Sequence, residues 1–319
     1  MNIVILERNT VGKDVDVSCF ENLGHVDSYD NTEYEQIAQR VKNADVIIAN
    51  KSKLNKNTLE DAHDVKLIAE FATGYDNIDL DYCKARDIKV CNVRGYSTPA
   101  VVQHTFALTL YVLEHLRYYD DYVKDGEYAK SGSFTHYAKT FCELSGKTWG
   151  IIGLGNIGRG VADVARSFGC NVIYYSTCGD NHNKDYEEVT FDELLERADI
   201  ISCHCPLNDK TRNILNKEAF LKMKKTAVVI NVARGSVVNN NDLYEALENN
   251  IIAGAGLDVL EAEPIAKDNP LGKIKDSDRL FITPHMAWAS VEARKRCVDE
   301  AYENVAAFIR GEERNIVSK

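Results

Sequence analysis

The chain of 319 residues has no apolar run near the ~20 residues that a membrane-spanning helix requires. Its N-terminus, MNIVILERNT, lacks a basic segment followed by a long apolar one, so no secretory signal is expected. No Cys-x-x-Cys pair occurs. The nine cysteines are odd in number and scattered, which predicts free thiols in a cytoplasmic protein and no disulfide framework. Cys203-His204-Cys205 is the densest group of metal-ligand types. It ends an apolar strand and no second cluster lies at a suitable spacing, so a metal is not expected. Basic residues are the minority, 38 Lys and Arg against 49 Asp and Glu, for a formal net charge of -11. Nucleic acid and anionic membranes select clustered positive charge, so neither is expected as a partner. A small anionic substrate responds to the local field and stays open. Internal repeats and low-complexity tracts are absent.

The length fits two domains, and 45% hydrophobic content suits a globular chain. The dominant feature is GIIGLGNIGRGVA, Gly150 to Ala162, in which Gly153, Gly155 and Gly158 make a G-x-G-x-x-G pattern. Trp149 to Ile152 before it reads as a buried strand. Arg159 to Phe168 after it has Val161, Val164, Ala165 and Phe168 at helical spacing, and Val172 to Tyr175 reads as the next strand. A strand-turn-helix-strand context is what the motif needs to bind a dinucleotide. The first glycine permits the turn, the second admits a pyrophosphate, and the third lets helix and strand pack closely. The helix start, with Asn156 and Ile157, offers N–H groups to phosphate.

Strands and helices alternate on either side of this turn. Asn2 to Leu6, Ala44 to Ala49, Lys66 to Ala69 and Ile88 to Cys91 read as strands, with a helix over Glu33 to Val41. Such alternation implies a parallel sheet covered on both faces. Arg94 to Pro99 is a polar loop and the expected first crossing between domains, followed by a long apolar helix, Val101 to Leu116. Tyr118 to Leu144 is polar, aromatic-rich and irregular, and reads as an arm that packs on something, such as a second subunit. Further strands are expected at Ile200 to Cys205, Ala227 to Val232, Ile252 to Val259 and Leu280 to Thr283. The helix Val291 to Ile309 is long enough to return to the first domain.

In open parallel sheets, ligands bind beyond the carboxyl ends of the strands. Three polar residues there stand out: Arg234 in Val232-Ala233-Arg234-Gly235, Glu263 in Glu261-Ala262-Glu263-Pro264, and His285 after Pro284. A guanidinium can grip a carboxylate through two hydrogen bonds. A histidine exchanges protons near neutral pH, and a carboxylate beside it orients and charges the ring. Singly, each has a bland alternative, namely a loose surface ion pair, a solvated acidic loop or a structural histidine. Together they form the set that hydride transfer on a 2-oxo acid requires.

At these residues the chain resembles the D-isomer-specific 2-hydroxyacid dehydrogenases. The matching pieces are FATGYDNIDLD (Phe71 to Asp81), GIIGLGNIG (Gly150 to Gly158), HCPLNDKT (His204 to Thr211), NVARGSVV (Asn231 to Val238), GLDVLEAEP (Gly256 to Pro264) and TPHMAWAS (Thr283 to Ser290), in the family's order. GYSTPAVVQHTFAL and PHMAWAS most resemble the glycerate dehydrogenases, which reduce hydroxypyruvate. The resemblance implies an α/β fold of two doubly wound domains: a flavodoxin-like substrate domain (1–97 and 286–319) and a Rossmann nucleotide-binding domain (98–285), with the active site in the cleft. It implies NAD as cofactor, a small 2-oxo or 2-hydroxy acid as substrate, and a homodimer. His285 is then the acid/base, Glu263 its partner, and Arg234 the ligand of the substrate carboxylate and carbonyl. Thr73 and Gly74 would hold the carboxylate's other side through their N–H groups, and Ser97, Gln103 and His104 lie where relatives face the substrate. Asp258 would bond the nicotinamide carboxamide. Ser176, Thr177, Cys205, Pro206, Thr211, Val232 and Ala233, with Arg234 and His285, complete the implied cofactor contacts.

The chain departs from the NAD-specific pattern after the second strand, where an acidic residue usually binds the ribose hydroxyls. Here Ser176-Thr177-Cys178 follows, Asp180 comes late, and the nearest base for a 2′-phosphate is Lys184. NAD is expected and NADP stays open. D-lactate and bulkier 2-oxo acids remain alternative substrates, and a non-catalytic NAD(H)-sensing scaffold, resembling the corepressor branch, is the alternative from another class.

Overall fold

The described residues form two sheets, and in both every strand pairs in parallel with its neighbours. The structure is a computed structural model that describes residues 1–179 and 183–318. It divides into two compact units, residues 1–97 with 288–319, and residues 98–287.

In the first unit, β1 (Asn2–Ile5), β2 (His25–Ser28), β3 (Val46–Ala49), β4 (Leu67–Glu70) and β5 (Lys89–Cys91) form a sheet in the order β2-β1-β3-β4-β5. That is the flavodoxin-type order. β3 and β4 are buried at every position, as strands covered on both faces must be. Helices α1 (Tyr34–Val41), α2 (Lys56–Leu59) and α3 (Leu80–Ala85) connect the strands. α1 starts at a reciprocal box between Glu33 and Gln36, which satisfies two of the backbone donors a helix start leaves open. β2 was not expected from the sequence. Its residues, HVDS, form an edge strand with no buried position, so no apolar pattern marks it.

The second unit begins with α4 (Thr98–Leu113). The segment expected to be irregular is partly helical: α5 (Leu116–Lys124) and α6 (Glu127–Lys130) precede a stretch without regular structure. Neither helix has a buried residue, which is why its apolar spacing did not reveal it. Then come β6 (Thr148–Ile152), α7 (Asn156–Ser167), β7 (Asn171–Tyr175), β8 (Glu187–Glu188), α8 (Phe191–Arg197), β9 (Ile200–Cys203), α9 (Lys217–Lys222), β10 (Val228–Asn231), α10 (Asn240–Glu248), β11 (Gly254–Leu257) and β12 (Leu280–Ile282). The sheet order is β12-β11-β10-β9-β6-β7-β8. This is the Rossmann order, with one strand added at the β12 edge. Trp149 and Tyr174 are fully buried at its centre, and the Trp149 indole N–H donates to Ser202 Oγ at 2.9 Å.

The chain leaves the second unit after Ala287, two residues beyond the expected boundary. The reason is local. The N–H groups of Met286 and Ala287 are bonded to the buried Asp258 carboxylate and so belong to this sheet's end. α11 (Val291–Ile309), capped by Ser290 Oγ on the Ala293 N–H, completes the first unit and packs against β4.

Candidate active site

The strand order of the second unit reverses between β6 and β9, and the glycine turn follows β6 at that point. Open α/β sheets bind ligands at such a switch. Each glycine has its own physical reason. Gly153 has φ +92, and an added Cβ would lie 2.8 Å from the Cys205 Cα. A Cβ on Gly158 would lie 2.4 Å from the Gly153 carbonyl oxygen. Gly155 differs, because a Cβ there would meet nothing within 4 Å. Nothing inside the unit demands glycine at 155. The space beside it is a cavity of about 580 Å³, lined by Gly153, Gly155, Ser176, Thr177, Cys205 and Pro206 among others. A pyrophosphate at the start of α7 fits this cradle.

The remaining cofactor candidates fall into groups. Asn156 is exposed and Ile157 half-buried in the first turn of α7. Ser176 Oγ accepts the Gly179 N–H at 3.2 Å, which folds the turn after β7. Asp180 lies outside the described residues, and Lys184 is exposed. Lys210, which the sequence did not single out, lines the cavity. Thr211 is fully buried, and its hydroxyl donates to the Pro206 carbonyl at 2.7 Å and accepts the Asn208 N–H at 2.8 Å. Its hydroxyl thus shapes the loop after β9. His204 Nε2 lies 2.9 Å from Ser202 Oγ, and burial pushes the ring's pKa down to about 3, so it stays neutral. Among the described residues no three His, Cys, Asp or Glu side chains group to hold a metal.

β10, β11 and β12 are adjacent and parallel, so the loops after them leave one end of the sheet side by side. These loops carry Arg234, Glu263 and His285. After β10, fully buried Asn231 folds the turn: its Oδ1 accepts the Ala233 N–H at 3.0 Å and its Nδ2 donates to the Arg234 carbonyl at 3.0 Å. Val232 and Arg234 are half-buried and Ala233 is buried. The Arg234 guanidinium donates to the Ala233 carbonyl at 2.8 Å. Gly235 lets this loop touch the next one, backbone to backbone. A Cβ there would lie 1.9 Å from the Leu260 carbonyl carbon. In that next loop Glu263 Oε1 accepts the Leu260 N–H at 3.1 Å, and Oε2 lies 2.6 Å from His285 Nδ1.

His285 is held in an unusual backbone conformation, φ +53. A non-glycine residue there costs about 1–3 kcal/mol and persists only where its surroundings fix it. Asp258 does much of that. Its backbone carbonyl accepts the His285 N–H at 2.8 Å, its Oδ1 the Met286 N–H at 2.8 Å, and its Oδ2 the Ala287 N–H at 2.8 Å. Oδ1 also accepts the Thr283 hydroxyl at 2.6 Å. Burial alone would raise the pKa of this carboxyl. The donors from His104, Thr283, Ala287 and Met286 outweigh burial and hold it below the ordinary carboxylate range. Asp258 is thus first a clamp on the His285 turn, a role the sequence did not reveal. Among the described residues Oδ2 accepts the Ala287 N–H alone, so one of its two lone-pair directions is left for an amide donor.

Thr73, Gly74 and Ser97 belong to the first unit. Thr73 Oγ1 donates to the Val93 carbonyl at 2.7 Å, and Asn92 Nδ2 donates to the Thr73 carbonyl at 2.7 Å. The loop after β4 is therefore stitched to the one after β5. Among the described residues no carbonyl engages the N–H groups of Thr73 or Gly74. Ser97 is half-buried. In the second unit Gln103 is exposed, while His104 turns into the sheet, with Nε2 3.0 Å from Thr283 Oγ1.

Known proteins resemble the chain over most of its length. Residues 106–287 match the family described as D-isomer specific 2-hydroxyacid dehydrogenase, NAD binding domain. The chain is 34% identical to a hydroxypyruvate reductase of Blautia hydrogenotrophica, covering 100% of both chains. It is also 34% identical to a glycerate dehydrogenase of Methylorubrum extorquens, over 99% of this chain and 98% of that one. The crystal structure of a D-lactate dehydrogenase from Aquifex aeolicus, complexed with NAD and lactic acid, superposes with a TM-score of 0.87 at 29% identity, covering 100% of this chain and 99% of that one.

Proposed function

The chain belongs to the D-isomer specific 2-hydroxyacid dehydrogenase family, and on that premise we propose that it reduces hydroxypyruvate to D-glycerate with NADH. One observation carries the chemistry: His285 Nδ1 stands 2.6 Å from a Glu263 carboxylate oxygen at the carboxyl end of the nucleotide-binding sheet. A nicotinamide held by the residues beyond β6 and β7 would supply hydride to C2 of the 2-oxo acid. A carboxylate only accepts hydrogen bonds, so His285 Nδ1 keeps its proton and Nε2 is the ring atom left to protonate the forming alkoxide. Arg234 binds the substrate carboxylate and stabilises charge growing on the carbonyl oxygen. On the family resemblance, Thr73, Gly74 and Ser97 are assigned to substrate and Asp258 Oδ2 to the carboxamide.

NAD is the preferred cofactor in this scheme, although no acid follows β7. The protein works in the cytoplasm, in keeping with nine free cysteines and, among the described residues, no helix long and apolar enough to cross a membrane. It acts as a homodimer through the arm, where Phe134 is 92% and Tyr137 78% exposed. Light scattering on the purified chain tests the dimer.

A panel of 2-oxo acids, each with NADH and NADPH, tests the activity. The expected result is the highest kcat/KM with hydroxypyruvate and NADH. A larger value with pyruvate or a bulkier acid moves the substrate within the family, and no turnover with any acid identifies a nucleotide-sensing scaffold instead.

A further inference from the structure

Resting on the function proposed above, we propose that His104, one helix away from the reacting groups, is a positioning residue for His285. α4 packs across β10, β11 and β12. It lies close to β11 because Gly254 and Gly256 take no side chain on that face. A Cβ on Gly254 would lie 2.7 Å from Val112 Cγ1, and one on Gly256 3.0 Å from Leu108 Cβ. The close approach brings His104 Nε2 to 3.0 Å from Thr283 Oγ1 and 3.5 Å from Asp258 Oδ1.

The proton directions follow from the chemistry of the groups. Thr283 has one hydroxyl proton, and it points at Asp258 Oδ1, 2.6 Å away. Thr283 Oγ1 must then accept from His104, which fixes the proton on Nε2. The chain of bonds runs from His104 through Thr283 to Asp258, and from Asp258 to three successive backbone N–H groups, those of His285, Met286 and Ala287. Asp258 is 1% exposed, so no water replaces a donor it loses. The orientation of its carboxylate, and with it the left-handed turn at His285, depends on a histidine that need not touch the substrate.

The test uses the full chain with NADH and hydroxypyruvate. His104→Phe keeps a ring and removes the donor, His104→Gln returns an amide N–H near the place of Nε2, and Thr283→Val breaks the chain at its middle. H104F and T283V should each lower kcat about tenfold, because small misplacements of a proton donor slow the chemical step. KM for hydroxypyruvate should stay within about twofold of wild type. H104Q should keep most of the activity. The double variant H104F/T283V should be no slower than T283V alone, since both changes act through one hydroxyl. Amide hydrogen exchange at residues 285–287 should quicken in H104F, and this readout needs no turnover. If the wild type reduces no 2-oxo acid, the proposed function fails, and the exchange rates alone still decide whether His104 holds the turn. The positioning role is overturned by an H104F protein with unchanged kcat and exchange, by an H104Q protein as slow as H104F, or by additive losses in the double variant.

Discussion

Glu263 and His285 meet through Oε2 and Nδ1 at 2.6 Å, while the other oxygen of the same carboxylate accepts the Leu260 N–H at 3.1 Å. The carboxylate is therefore anchored to backbone before it touches the ring. His285→Ala should lower kcat by at least ~100-fold, the usual scale of general acid–base catalysis, with NADH binding retained. Glu263→Gln keeps an acceptor for Leu260 but presents no negative charge to Nδ1. It should fold normally and lose kcat by about 100-fold. Steady-state kinetics and NADH fluorescence titration check both, and near-wild-type turnover in H285A removes His285 from the mechanism.

The role proposed for Arg234 predicts that substrate binding and cofactor binding can be separated. Its turn is folded by Asn231, so the backbone there does not depend on the guanidinium. Arg234→Ala should raise KM for hydroxypyruvate and lower kcat/KM by about 100-fold or more, because a charged bidentate contact is lost. The NADH dissociation constant should hold. If both weaken equally, the side chain supports the nucleotide unit and does not select the acid.

Gly235 tests whether the Arg234 loop must lie against the Glu263 loop. A Cβ there would overlap the Leu260 carbonyl group, which belongs to backbone and cannot rotate away. Gly235→Ala should cost about 1–3 kcal/mol of stability, as overpacking does. It should also reduce kcat with every 2-oxo acid, because it pushes Arg234 away from Glu263. Chemical denaturation paired with kinetics checks this, and full activity in G235A means the contact between the loops is dispensable.

The glycine pattern predicts opposite behaviour for two of its members. Gly155→Ala adds a methyl to open space, and its φ of -81 suits alanine. The folded protein should be as stable as wild type or slightly more so, while NADH affinity falls by tenfold or more, on the order of 1.4 kcal/mol. Gly158→Ala presses on the Gly153 carbonyl and should destabilise the fold itself. Thermal unfolding without ligand, beside NADH titration, distinguishes them. Unchanged NADH affinity in G155A would mean that no pyrophosphate sits there.

Much of this was legible in the sequence because the nucleotide turn sits between strongly patterned elements. The apolar strands β3, β4, β9 and β10 are buried throughout, so their composition shows. β2 and β8 are polar edge strands, and α5 and α6 bury nothing, so hydrophobic spacing could not find them. Arg234, Glu263 and His285 stand out as polar residues just after strands. Asp258 sits beside them in sequence, but its clamp on three N–H groups depends on β11 and β12 lying side by side. Asn231 hides for the same reason, being one more polar residue at a strand end. Nothing in HCPLNDKT shows that the loop folds back on the Thr211 hydroxyl.

Glu70 offers a test of the first unit apart from any activity. It ends β4, is fully buried, and accepts one hydrogen bond from Asn77 Nδ2 at 2.9 Å. Burial drives its pKa from 4.5 up to about 8, with the nearby Glu7 carboxylate adding to the rise and Asn77 opposing it. Below the unfolded value the carboxyl is protonated in both states, and its contribution to stability is fully present. As pH rises above 4.5 the unfolded chain ionises while the folded one keeps its proton, so stability declines until pH reaches about 8. The gap between the two values corresponds to a change on the order of 5 kcal/mol. Glu70→Gln preserves an acceptor for Asn77 and carries no charge at any pH, so this decline should vanish. Urea unfolding at pH 5 and pH 8 should show wild type losing midpoint between the two and E70Q losing far less. If the two proteins lose stability in parallel, the buried carboxyl is not what makes the first unit sensitive to alkali.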